Sequence, residues 1–221
     1  MKKALLPTFA ALGLLALVAA FVFVYVTSQK SDSDPASTNS GSQELSSAVA
    51  SDSHYVDKVG PDAVTIVEFL DFECGAFGQF YPYVEALREV YDGDINYVVR
   101  YFPLPSHPNS MDAAIAAEAA AQQGEFEAMY QRLFETQSEW AGGTPPQSDT
   151  FRAMALDLGL DMDAYDAAVA DPATQARVES DFDAGVALGV NSTPTFFVND
   201  EYIDTSRLEN LPEAVDAAVK G

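Results

Sequence analysis

The sequence predicts an α/β domain: a strand–helix–strand unit, a block of helices, then a strand–strand–helix unit. Three observations carry this. A β-branched apolar run, VTIVEFL (64–70), has the composition of a buried strand. Phe77, Phe80, Tyr81, Val84, Leu87 and Tyr91 then recur at three- and four-residue steps, the spacing of one apolar helix face. A second apolar run, INYVVRYF (95–102), follows the Asp92-Gly93 stop, so two strands flank a helix and can pair in parallel through a crossover.

The remaining elements follow in order. Pro103, Pro105 and Pro108 break the chain. Residues 109–137 form an alanine-rich helical stretch, interrupted at Gly124, with Met111, Ala114, Ile115, Phe126, Met129, Tyr130, Leu133 and Phe134 as its apolar set. AGGTPPQS (141–148) reads as a loop. A helix over 151–158 ends at Gly159, and Asp161 caps the next, which ends near Ala170. Asp171-Pro172, an N-cap followed by proline at the first helical position, opens a third helix that runs to about Leu188 and stops at Gly189. VNSTPTFFVN (190–199) is a proline-containing loop feeding a strand. Asn199-Asp200 is a turn, 201–203 a short strand, and 207–220 the closing helix.

Ahead of this domain the chain changes character. Residues 4–26 run 23 positions without a charge, enough to cross about 30 Å of hydrocarbon as a helix. Lys2 and Lys3 precede the run, which favours a cytoplasmic N-terminus (1–3) and an exported remainder. A cleaved signal peptide ending at Ala19-Ala20 competes, but FVFVYV carries the apolar run past that point, so an uncleaved signal anchor is the preferred reading. This implies a single-pass cell-membrane protein with its domain on the extracytoplasmic side. Residues 27–53 hold ten serines in 27 positions and almost no large apolar side chain, the composition of a disordered, flexible linker. The folded domain is expected over 54–221, with the helical insertion at about 104–189.

From residue 54 on there are 30 acidic against 8 basic residues, which argues against nucleic acid as a partner because its phosphates would be repelled. Solubility is reason enough for the acidity, and it names no partner. The two histidines, His54 and His107, make no metal-ligand spacing with the one cysteine, and the sequence names no metal and no cofactor. His107 reads as a loop residue, with an approach to the site as the alternative, and Trp140 as core or rim packing beside the 141–148 loop in preference to lining a substrate surface.

The one cysteine, Cys74, lies in DFECGAFGQFYP (71–82), where a strand hands over to a helix. First-turn N–H groups and the helix dipole favour negative charge there, and the thiolate is the reactive form of a cysteine. Gly75-Ala76 leaves room around sulfur. Asp71 and Glu73 work against ionisation, and no Lys, Arg or His is near in sequence. Taken alone, a single cysteine is more often a small buried hydrophobe.

The stretch VTIVEFLDFECGAF resembles the start of the DsbA-like thiol-disulfide oxidoreductases of the thioredoxin superfamily, and GVNSTPTFFV (189–198) resembles their cis-proline loop. The likeness spans roughly 55–221. It implies a thioredoxin-like fold with an inserted helical subdomain. It further implies that Cys74 is the attacking thiol, that Glu68 is the buried acid that handles protons, and that Thr193 and Pro194 lie beside the sulfur. A cis bond before Pro194 would present Thr193 backbone groups to an extended substrate. The departure is Phe77, which stands where the C-x-x-C pattern has its second thiol. Phe77 is expected to cover the inner side of the sulfur, add apolar surface and, with Thr193 and Pro194, contribute to substrate binding; the dithiol cycle is out of reach for one chain.

Three readings follow. A monothiol enzyme would exchange disulfides of exported, cysteine-bearing proteins through a mixed disulfide, released by a redox partner protein or small thiol. A redox-inactive binding or chaperone-like module would keep the groove without turnover. A dimer could be linked through Cys74.

Overall fold

The structure is a computed structural model. It describes residues 47–144 and 146–221, with Phe77 and Gln79 described by their backbone alone. The expected anchor (4–26) and most of the expected linker lie outside these residues.

Five strands form one mixed sheet in the order β1-β3-β2-β4-β5: β1 (His54–Asp57), β2 (Val64–Leu70), β3 (Ile95–Tyr101), β4 (Thr195–Val198) and β5 (Glu201–Ile203). β2 and β3 run parallel, from Val64 opposite Ile95 to Leu70 opposite Tyr101, and every other pairing is antiparallel. The parallel pair is joined by helix α1 (Gly75–Val90), as the βαβ pattern predicts. The inserted block holds α2 (Ser110–Ala121), α3 (Phe126–Glu135), α4 (Gln137–Trp140), α5 (Ser148–Asp157), α6 (Met162–Ala170) and α7 (Pro172–Ala187). Helix α8 (Asn210–Lys220) follows the β4–β5 hairpin.

Strand alternation sorts β2 into two cores. Ile66 and Leu70 pack with Tyr97, Val99 and Tyr101 of β3, Val84 and Leu87 of α1, the alanine face of α2, and Leu211 and Val215 of α8. Val67 and Phe69 pack on the other face with Val98, Phe102, Val190 and Phe197, and Phe182 of α7 lies against them. Helices therefore cover both faces, which is why β2 and β3 read as continuous apolar runs.

The local signals act as their chemistry requires. Asp161 Oδ1 accepts from the N–H groups of Asp163 and Ala164, and Asp171 Oδ1 accepts from Ala173. Gly159 and Gly189 stop their helices at φ of 81° and 86°, a region that favours glycine. Asn199 and Asp200 both have positive φ, the two-residue turn that matches hairpin twist.

Several boundaries differ from expectation: α5 starts at Ser148 rather than 151, inside the expected loop, and α8 at Asn210 rather than 207. Strand β1 carries no clear alternation, because all four residues are half-buried. The 109–137 stretch divides into α2, α3 and α4, with Gly124 at φ 82° between the first two. The end of the expected linker is packed: Ala48 is buried, its N–H donates to Asp200 Oδ1 and its carbonyl accepts from Arg100. Ser47 Oγ also reaches Asp200 Oδ1, at 3.1 Å. Backbone groups make most of these contacts, so serine-rich composition gives no hint of them.

Among the described residues no helix is long and apolar enough to cross a membrane.

Candidate functional site

The site is built where β2 ends and α1 begins. Cys74 is the N-cap residue of α1, extended at φ −68° and ψ 111°, and its carbonyl accepts the Gly78 N–H. Its sulfur lies 3.4 Å from the Thr193 carbonyl oxygen, to which the thiol donates. The Thr193–Pro194 bond is cis. Thus two motifs 119 residues apart meet: Cys74, Thr193 and the adjoining Pro194. The Thr193 hydroxyl is buried with no hydrogen-bond partner. Cys74 is 7% exposed.

Glu68 lies in the middle of β2, fully buried. Tyr97, one strand over on β3, donates its hydroxyl to Glu68 Oε2 at 2.6 Å, and Oε1 has no partner. Burial raises the Glu68 pKa to about 8, with the Tyr97 hydrogen bond opposing in part. The carboxyl therefore holds its proton at neutral pH. Burial also pushes the neighbouring Tyr97 and Tyr130 phenols well above their ordinary range, so they stay neutral beside Glu68.

The acids flanking Cys74 are not free surface charges. Asp71 accepts from Leu104 N–H at 2.9 Å and from Glu73 N–H at 2.8 Å, and lies 2.7 Å from His107 Nδ1. Burial raises its pKa despite these donors. Glu73 accepts from Asn109 N–H, Asn109 Nδ2 and Gly142 N–H. Gln137 Nε2 donates to the carbonyls of Phe72 and Cys74 at 2.7 and 3.0 Å. Residues 71–74 are thus gripped one by one from the segment 104–142. The sequence showed two acids with no base in sight, which was the one signal that partners come from elsewhere. Nothing marked Asn109 or Gln137.

The Phe77 side chain is outside the description; its backbone sits in the first turn of α1. His54 pairs with Glu118 at 2.6 Å and stacks on Phe126, while Trp140 is core, its indole donating to the Leu133 carbonyl. Among the described residues no group of three or more His, Cys, Asp or Glu side chains is placed to hold a metal. A hollow of about 740 Å³, lined among others by Asp57, Tyr81, Glu85, Arg88, Glu127 and Glu135, includes none of the site residues. Its arginine is bound by Asp57, Glu85 and Glu127.

Comparison with known proteins supports a thioredoxin-like fold. A family model described as thioredoxin matches residues 61–217. The Na(+)/H(+) antiporter NhaA 1 of Mycobacterium sp. (strain KMS) is 40% identical over 145 residues, 63% of this chain and 22% of that one. NhaA 3 of Salinispora tropica is 42% identical over 137 residues, 62% of this chain and 20% of that one. The chain spans about a fifth of the length of these curated relatives. Among solved structures, a thioredoxin-like oxidoreductase from Silicibacter pomeroyi DSS-3 is 27% identical, with a TM-score of 0.62, over 78% of this chain and 95% of that one. Oxidised BdbD from Bacillus subtilis shares the fold at 21% identity and a TM-score of 0.66, over 76% and 92%.

Proposed function

The chain belongs to the thioredoxin family, and on that premise we propose that it is a thiol–disulfide exchange protein that works through one sulfur, Cys74. The carrying observation is the contact of that sulfur with the Thr193 carbonyl, at the mouth of α1. The thiolate form of that sulfur is the nucleophile. Ionisation also removes the hydrogen that the sulfur donates to Thr193, which frees that carbonyl to accept from a substrate backbone N–H.

The thiolate attacks one sulfur of a substrate disulfide. A Cys74–substrate disulfide forms, and the other substrate sulfur departs as a thiolate that takes a proton from water. A second thiol, from the substrate, a small thiol or a redox partner, then attacks the mixed disulfide and releases Cys74. The exchange is balanced, with no cofactor. Glu68 is assigned the proton-handling role that the family resemblance implies, and its raised proton affinity suits that task. Thr193 and Pro194 line the substrate side.

The natural setting is a membrane face. Residues 4–26 supply a signal anchor that holds the domain outside the cytoplasm, near exported proteins with cysteines. The antiporter relatives are transporters by name, which supports work beside a membrane. Sodium–proton exchange itself is not carried over, because the shared stretch is about a fifth of those chains.

One observation favours a second reading, a substrate-binding module without turnover: Cys74 is only 7% exposed. Alkylation of the native protein against pH separates the two. A thiol that titrates well below about 8.5 supports exchange; a sulfur that reacts only after unfolding supports the binding module. Non-reducing electrophoresis tests the Cys74-linked dimer.

A further inference from the structure

We infer that Gln137 is a positioning residue for Cys74, a role that rests on the thiol chemistry proposed above. Its buried amide uses both hydrogens, one on the Phe72 carbonyl and one on the Cys74 carbonyl, and so spans the strand-to-helix junction. The Cys74 carbonyl receives a second donor from Gly78 N–H at 3.1 Å. Together these bonds fix the peptide planes on both sides of residues 73–74 and hence the direction of the sulfur. They also place N–H dipoles beside a residue that must carry negative charge.

Gln137 is itself held from behind. It begins the one-turn helix α4, whose Trp140 is buried edge-on against Phe151 and donates to the Leu133 carbonyl. The inserted helices therefore reach the thiol through this one amide as well as through Asn109 and Gly142 on Glu73. A further residue fits the arrangement: a Cβ on Gly78 would overlap the Gln137 amide, so Gly78 leaves the space that the amide fills.

Two variants test this. Gln137→Met keeps the length of the side chain and removes the donors. Gly78→Ala displaces the amide while improving helix propensity. For each, Cys74 alkylation by iodoacetamide is followed across pH alongside the melting temperature. Both should lose about fivefold in rate at neutral pH, the weight of one net hydrogen bond, with the profile moved to higher pH. The pH shift is the discriminating readout, because a merely structural role would lower the melting temperature without moving the profile. A reduced rate in either folded variant supports the inference. Wild-type profiles in both overturn it and leave the proposed function standing. A wild-type thiol inert at every pH overturns the proposed function and this inference with it.

Discussion

The Cys74 thiol donates to the Thr193 carbonyl oxygen at 3.4 Å, joining the start of α1 to the loop that enters β4. The proposed exchange chemistry rests on this contact between the sulfur and the cis-proline loop.

Incubation of the protein with a small-molecule disulfide should yield one mixed disulfide per chain, at Cys74, read by intact mass. Cys74→Ser should yield none. Its folding stability should fall by less than about 1.5 kcal/mol, since serine can still donate to Thr193. Adduct formation in Cys74→Ser, or none in the wild type, would remove the thiol from the mechanism.

Phe77→Cys puts a thiol in the first turn of α1, three residues on from Cys74. An intramolecular second step replaces an encounter with another molecule, so disulfide reductase activity toward a model substrate should rise about tenfold or more. An unchanged rate with both thiols reactive would mean the two sulfurs do not face one another.

Glu68 gives a signed pH prediction. Its pKa is about 8 in the folded chain against an ordinary 4.5. Below the lower value both states hold the proton. Between the two values the native state keeps a proton that the unfolded state has lost, so stability falls as pH rises and the fall is complete above pH 8. The size is on the order of 3–5 kcal/mol. Glu68→Gln should remove this part of the slope in urea titrations at pH 5 to 9, and should be the more stable protein at pH 9. Parallel curves for the two proteins would contradict the buried neutral carboxyl.

Asp181 of α7 is fully buried, accepts from Arg100 and the Tyr101 N–H, and forms an ion pair with Arg177 at 2.8 Å. Asp181→Ala leaves the Arg100 guanidinium buried without its carboxylate, and should cost about 3–5 kcal/mol in urea unfolding. A cost below about 1 kcal/mol would show that water reaches Arg100 once the partner is gone.

How much of this could be read in advance depended on the range of the interaction. β2, β3 and the caps at Asp161 and Asp171 rest on neighbours in sequence, and their residue types announce them. Glu68 was legible as buried because Val67 and Phe69 flank it in an apolar run. β1 was not, because a half-buried edge strand of four residues has no period to detect. Asp71 and Glu73 looked like charges that would oppose a thiolate. In the fold each is bound by donors more than thirty residues away. Gln137 shows the same limit, since an amide that bonds two backbone carbonyls over sixty residues away leaves no trace in composition or periodicity.

The Ser47–Asp200 contact has a geometric consequence. Asp200 follows β4 where that strand lies beside the start of β2, with Val198 opposite Ile66, whereas Cys74 lies past the far end of β2. The two rims are separated by about six strand residues, roughly 20 Å. The Ser47–Asp200 contact and the Cys74 sulfur therefore lie at opposite ends of β2.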